Sequence, residues 1–140
     1  MHLSGFMTDS IKTKIMAAIF NAANGSPPAM PTPPTTLYFG LSQTPPTRAG
    51  GYMEVTGTNY GRTAISSTSV NWTATGTQEA NAAKINLPVP GATWKTAVGW
   101  FLIDSASGAG TVWFAGSLSP VTFVNTSTPN IAIDALIAQL

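Results

Sequence analysis

The sequence predicts a mainly β protein: an antiparallel β-sandwich of jelly-roll type with about eight strands, one N-terminal amphipathic helix and a proline-rich arm. Three observations lead there. From Leu37 onward, short stretches alternate apolar and polar residues and are separated by turn-forming residues. The chain holds 20 Thr and 12 Ser, and a β-branched hydroxyl side chain suits a pleated strand with one wet face. The one stretch of helical spacing with recognisable ends precedes all of these strands. A length of 140 residues suits one core. We divide the chain into residues 1–35, the helix and arm, and residues 36–140, the β domain.

Ile11, Ile15, Ile19 and Ala22 follow one another at near four-residue spacing with Met16 and Phe20 beside them, so Asp9 to Ala23 reads as an amphipathic helix. Thr8, Asp9 or Ser10 can cap its first amides, and Asn24-Gly25 can close it. Lys12 and Lys14 ahead of the run Ile15 to Ala23 resemble a secretory signal at first sight. Asn21 interrupts that run and Asp9 precedes it, so it reads as part of a mature N-terminus.

Seven of the eleven prolines lie between Pro27 and Pro46. Proline cannot donate to a ladder and favours extended polyproline backbone, so Ser26 to Pro34 reads as a stiff arm. A plain spacer between helix and sheet fits the same composition. Leu37, Phe39 and Leu41 then alternate with Tyr38, Gly40 and Ser42 as a half-buried strand, and Gln43 to Tyr60 reads as a long surface loop. Further strands are expected at Gly61 to Ser66, Ser69 to Ala74, Ala82 to Leu87, Ala97 to Asp104, Thr111 to Ala115, Val121 to Val124 and Asn130 to Ala138. In the last, Asp134 to Leu140 could equally propagate as helix. Asp104 to Gly110 (DSASGAG) has the content of a hairpin turn, its Asp104 carboxylate accepting the amides that follow. No internal repeat is present.

Charge excludes whole classes of function. Only 8% of residues are charged, against roughly 25% in ordinary soluble domains, and the net charge of +1 leaves no electrostatic footprint for nucleic acid. Such a surface can lie against a partner without stranding charges, although a neutral-surfaced monomer fits the same composition. With no cysteine there is no disulfide, thiolate metal site or thiol nucleophile. His2, the one histidine, sits in an N-terminus expected to fray, so neither a serine–histidine triad nor a histidine metal site can be assembled within one chain. Of the carboxylates, only Glu54 and Glu79, both on expected loops, offer a pair of the kind a glycosidase needs. No phosphate loop, dinucleotide fingerprint or EF-hand spacing occurs, and Ala97 to Ile103 is too short to cross a bilayer. We therefore expect a non-enzymatic protein with no cofactor or metal and no nucleic-acid or membrane partner.

Trp72, Trp94, Trp100 and Trp113 admit two readings. They can form a sugar-stacking platform, or they can fill the core and, as expected for Trp94 in its loop, sit at a protein interface.

The order of elements from Leu37 to Leu140 resembles a family of short bacteriophage proteins described as head fibre, tail-fibre-like or capsid cement proteins. Leu37 to Ser42 (LYFGLS) is similar to that family's opening strand, and Tyr60-Gly61-Arg62 to the motif after its proline-bearing loop. Asn81 to Pro88 (NAAKINLP), Trp94, Gly99 to Ala106 (GWFLIDSA) and Val112 to Leu118 follow in the family's order. The resemblance implies a virion protein that decorates or clamps the capsid, or a fibre module, with the outer capsid surface as the expected location. On that footing the leading expectation is a cement or decoration protein that binds the major capsid protein and self-associates as a homotrimer or homodimer. The alternative is a tail or head fibre module that binds host carbohydrate, with Tyr52 and the tryptophans as its platform. Expected interface residues are Ile11, Ile15, Ile19 and Phe20 of the helix, Pro28, Pro31, Pro33 and Pro34 of the arm, and Pro45, Pro46, Tyr52, Tyr60, Arg62 and Trp94 of the loops.

Overall fold

Eight strands join into one curled sheet, a half-barrel, in the computed structural model, which describes residues 3–20, 28–68, 71–126, 128–132 and 135–139. In chain order the elements are β1 (Leu3–Met7), α1 (Asp9–Phe20), β2 (Thr36–Ser42), β3 (Thr63–Ser66), β4 (Trp72–Thr75), β5 (Gln78–Asn81), β6 (Ile85–Asn86), β7 (Ala97–Ile103), β8 (Val112–Val121), β9 (Asn130–Ile131) and β10 (Leu136–Gln139). The sheet runs β3-β2-β7-β8-β1-β10-β5-β4, and β6 and β9 form a separate two-stranded ribbon.

This corrects the expected antiparallel sandwich. No second sheet of comparable size faces the first among the described residues, and the sheet is mixed, because β1 pairs parallel with β10 and antiparallel with β8. A strand reached through a helix and a long connection is free of the hairpin constraint that forces antiparallel neighbours. The expected boundary at residue 35 places β1 outside the β domain, yet β1 is the strand that joins the two halves of the sheet.

Alternation alone does not reveal β1. Its apolar residues Leu3, Phe6 and Met7 do not alternate, and Gly5 stands where any Cβ would collide with the Trp100 ring. Nor does it reveal β5, whose QEAN is polar. A two-residue turn with Gly76 at φ +65° folds β5 onto β4, which is the hairpin signal that Gly76-Thr77 carries. β8 is one ten-residue strand where two were expected, with its register against β7 shifted between Ala97 and Gly99. The expected strand Ala82 to Leu87 shrinks to β6, and Asn130 to Ala138 is split into β9 and β10. Its residues 133–134 lie outside the described residues, as do residues 69–70 of the expected strand Ser69 to Ala74. The hairpin of β7 and β8 forms as expected. Its Asp104 carboxylate, however, accepts the Thr111 amide at 2.7 Å, across the turn and not from the residues that follow it.

The sequence places α1 well at its start. Thr8 begins the helix with its carbonyl, accepting the Lys12 amide at 3.1 Å, while its hydroxyl donates to the Val112 carbonyl at 2.6 Å and ties the helix to β8. The expected end, Ala23 and Asn24-Gly25, and the start of the arm fall in residues 21–27, outside the described residues, as does His2. Residues 28–35 carry no helix or strand pairing.

Strand alternation gives the sheet two faces. The inner face carries Leu3, Leu37, Phe39, Leu41, Trp100, Leu102 and Leu136, which form the main core with Ile131, Phe123 and Trp94. The outer face carries a smaller cluster of Phe101, Ile103, Val112 and Ala115, roofed by Tyr52.

Candidate assembly surface

Two regions flank the sheet, one closed and one open. The closed one begins with Ser42 at the end of β2, fully buried, whose hydroxyl accepts the Met53 amide at 3.1 Å and donates to the Thr44 carbonyl at 2.6 Å. The loop 43–60 is thereby folded back on the sheet, and Glu54 bridges to Ser42 across it.

Arg62 then locks this loop to the β7–β8 turn. Its Nε and Nη2 donate to both Glu54 carboxylate oxygens at 2.9 and 2.8 Å, in a bidentate pair. Nη1 donates to the Ser105 carbonyl at 2.8 Å and Nη2 to the Gly108 carbonyl at 2.9 Å, while the guanidinium sits 5.4 Å from the Phe101 ring centroid. The Arg62 side chain is 2% exposed and that of Glu54 27%. The hydrogen bonds it donates to Glu54, the largest influence, hold the guanidinium above its ordinary pKa. Tyr60 accepts the Leu41 amide at 2.9 Å and donates to Glu54 at 3.2 Å. Burial pushes its phenol well above the ordinary tyrosine pKa, with the Leu41 amide opposing and Glu54 assisting.

The open region lies inside the curl. A cavity of about 620 Å³ is lined by an inner-face residue from seven of the eight sheet strands: Met7, Leu37, Leu102, Phe114, Ala138, Glu79, and Trp72 with Ala74. Ser67 and Thr68, just after β3, complete the ring, and Trp113 adds a second indole. Its rim is made by Ile15 of α1 and by Met30, Pro31, Pro33 and Pro34. Beyond this rim, α1 leaves the sheet. Ile11 is 1% exposed and anchors the helix, a contact worth about 1.5–3 kcal/mol. By contrast Met16, Ile19 and Phe20 are 54, 56 and 75% exposed, and Met30 beside the cavity 57%.

The sequence-expected residues divide among these places. Ile15, Pro31, Pro33 and Pro34 meet at the cavity rim, with Ile19 and Phe20 exposed beyond it and Pro28 exposed on the arm. Tyr52, Tyr60 and Arg62 belong to the lock, with the Tyr52 ring stacked on Phe101 at 4.0 Å between centroids. Ile11 is interior, Pro46 is buried against Gly99, and Trp94 is 2% exposed between Tyr60 and Phe123, its indole donating to the Thr58 carbonyl at 3.0 Å. Pro45 is exposed. The two expected loop carboxylates are separated, Glu54 engaged by Arg62 and Glu79 in the cavity wall on β5. Sequence reasoning passed over Met30 and the joint placement of Trp72 and Trp113, because only the curl of the sheet brings them to one cavity.

Among the described residues no three His, Cys, Asp or Glu come together as metal ligands, and no helix is long and apolar enough to cross a membrane. Fold and surface describe a β-rich protein whose curled sheet encloses an apolar cavity open at one end. The family model described as Podophage GP4 fiber I protein gp80 matches residues 6–139, and the chain belongs to that family of phage fibre proteins. The resemblance read from Leu37 onward therefore holds. The match starts at Phe6, so helix and arm fall within the family's span as well. A search of curated proteins finds no match.

The residues that carry the resemblance have internal duties. Ser42 and Tyr60-Gly61-Arg62 fold the loop onto the sheet. Asn81 is fully buried and bonds the Ala83 and Ala132 carbonyls at 2.9 and 2.7 Å and the Leu136 amide at 2.9 Å. They serve the fold, whereas Met16, Ile19, Phe20 and Met30, on the helix and the arm, are left exposed.

Proposed function

We propose that this phage protein is a non-enzymatic head-surface component, a fibre or cement subunit that decorates the capsid by protein–protein contact, and that its attachment face is the end formed by α1, the arm and the cavity rim. The observation that carries this reading is the set of exposed apolar residues Met16, Ile19 and Phe20 on α1, whose Ile15 lines an apolar cavity together with the exposed Met30. Exposed apolar residues gathered beside an apolar cavity suit an interaction site, and weak contacts repeated over a particle gain through effective concentration. The major capsid protein is the partner a cement subunit would bridge. Recombinant protein added to purified heads that lack it is expected to bind at a fixed ratio to the major capsid protein, and the double variant Ile19→Asp/Phe20→Asp to lose that binding. Full occupancy by the variant contradicts the reading.

A host-carbohydrate module is the second reading, favoured by Trp72 and Trp113, which are half-buried and both face the cavity. Glycan-array binding that disappears with Trp72→Ala would support it. Trp94 cannot serve that test, since its removal would hollow the core.

A further inference from the structure

We propose that the groove between β3 and β6 is a strand-addition site, which takes a short extended segment of a different protein with an acidic side chain opposite Lys84. The inference rests on the reading of this chain as an assembly protein. The groove shares no lining residue with the cavity beside α1.

Two strand edges supply the site. β3 ends the sheet and, among the described residues, pairs only with β2. The Ser67 amide donates to the Thr35 carbonyl at 2.9 Å, which makes these two a hydrogen-bonded pair and, two residues at a time, Ile65 with Leu37 and Thr63 with Phe39 as well. The backbone groups of Ala64 and Ser66 therefore point away from β2, and both residues are exposed. The Ser66 carbonyl already accepts the Asn71 side-chain amide and the Trp72 indole at 3.3 and 3.2 Å, which leaves the Ser66 N–H and both groups of Ala64 for an incoming strand. β6 pairs only with β9 among the described residues, and the Leu87 amide donates to the Pro129 carbonyl at 2.9 Å. The same alternation turns the backbone groups of Asn86 away from β9. They face β3, because the Asn86 carbonyl accepts the Thr63 hydroxyl at 3.4 Å.

Between these edges lies a groove of about 260 Å³, lined by all four residues of β3, by Ala83 to Asn86 and by Asn71. Backbone donors and acceptors at strand spacing are matched by another extended backbone, so the occupant is a strand. At roughly 3.3 Å per residue β3 spans about 13 Å, enough for about four residues of a partner. Lys84 is the only ionisable side chain in the lining. It is exposed, and among the described residues no carboxylate pairs with it. A second copy does not suit this edge. Pairing β3 with its own copy about a two-fold axis sets two Lys84 ammonium groups beside one edge, and β4, the other edge of the sheet, is WTAT and brings no charge. An acidic segment of a different protein answers both the backbone edge and the lysine.

The test titrates the full chain with a capped peptide of alternating valine and glutamate, about five residues long, and follows backbone amide chemical shifts. The amides of Ala64, Ser66 and Asn86 are expected to shift, and those of Met53 and Val55 to stay in place. N-methylation of the peptide backbone should abolish the shifts. Ala64→Pro removes one outward N–H, leaves the pairing with β2 in place and should abolish binding with an unchanged circular dichroism spectrum. Lys84→Gln, or lysine in place of glutamate in the peptide, should weaken binding about two- to fivefold. No shift at millimolar peptide overturns the inference, as does equal binding of the N-methylated peptide, and equal binding by Lys84→Gln overturns its acidic partner. Heads that bind Ala64→Pro in full but lose Ile19→Asp/Phe20→Asp would overturn the groove as an attachment site while the assembly reading stands.

Discussion

The loop 43–62 and the helix α1 both leave the same sheet, yet the sequence treats them in opposite ways. The loop is long, rich in Pro and Gly and without periodicity, and it is held by a buried guanidinium, a buried serine and a stacked tyrosine. The helix is short and regular, and past Ile11 and Ile15 it leaves Met16, Ile19 and Phe20 exposed to solvent. Regular secondary structure is thus no guide to which region is finished within one chain. What matters is whether polar groups and apolar faces find partners inside the molecule. In the loop they do. At the helix end, among the described residues, Met16, Ile19 and Phe20 stay exposed, and under the proposed function another molecule covers them.

Attacking the lock should have the largest effect on stability. Glu54→Ala leaves the Arg62 guanidinium buried without its counter-ion, and a loss of about 3–5 kcal/mol is expected in chemical denaturation. Arg62→Met should cost less, because Glu54 and the carbonyls of Ser105 and Gly108 retain access to water. The reverse ranking would show that tethering of the loop, and not burial of charge, dominates. Asn81→Ala, which strands the Leu136 amide and two carbonyls, is expected to cost about 1–3 kcal/mol by the same measurement.

Alkaline pH gives a gentler probe of the same region. Because burial raises the Tyr60 pKa above its unfolded value, the folded chain keeps that proton while the unfolded chain releases it. This contribution to stability is fully present below about pH 10, the ordinary tyrosine value, and falls as pH rises beyond it. Melting temperatures of wild type should therefore drop more steeply above that pH than those of Tyr60→Phe. Parallel curves would remove Tyr60 from the account.

Much of this contrast was legible in the sequence, though unevenly. The helix start at Thr8–Asp9, the strand at Leu37 and the β7–β8 hairpin follow from local spacing, and local spacing survives folding. The curl of the sheet does not. It depends on β1, whose Gly5 gives no apolar signal but makes room for Trp100, and on polar β5, which pairs β4 on one side and β10 on the other. Without those strands the same alternation reads as a two-sheet sandwich, and a cavity inside a curl cannot be foreseen. Arg62 stood out within a motif, yet its burial depends on a turn more than forty residues away. Trp94 illustrates the converse. A tryptophan in a loop looks available to a partner, and here the loop itself is packed into the core.

Hydrogen exchange followed residue by residue, on the free protein and on protein bound to heads, tests the central contrast most directly. The amides of Met53 and Val55 and those of β7 and β8 should be protected in both states. The amides from Ile15 to Phe20 should exchange rapidly in dilute free protein and slowly once assembled. Equal protection of Ile15 to Phe20 in the two states would contradict the claim that this end of the chain is completed by a partner.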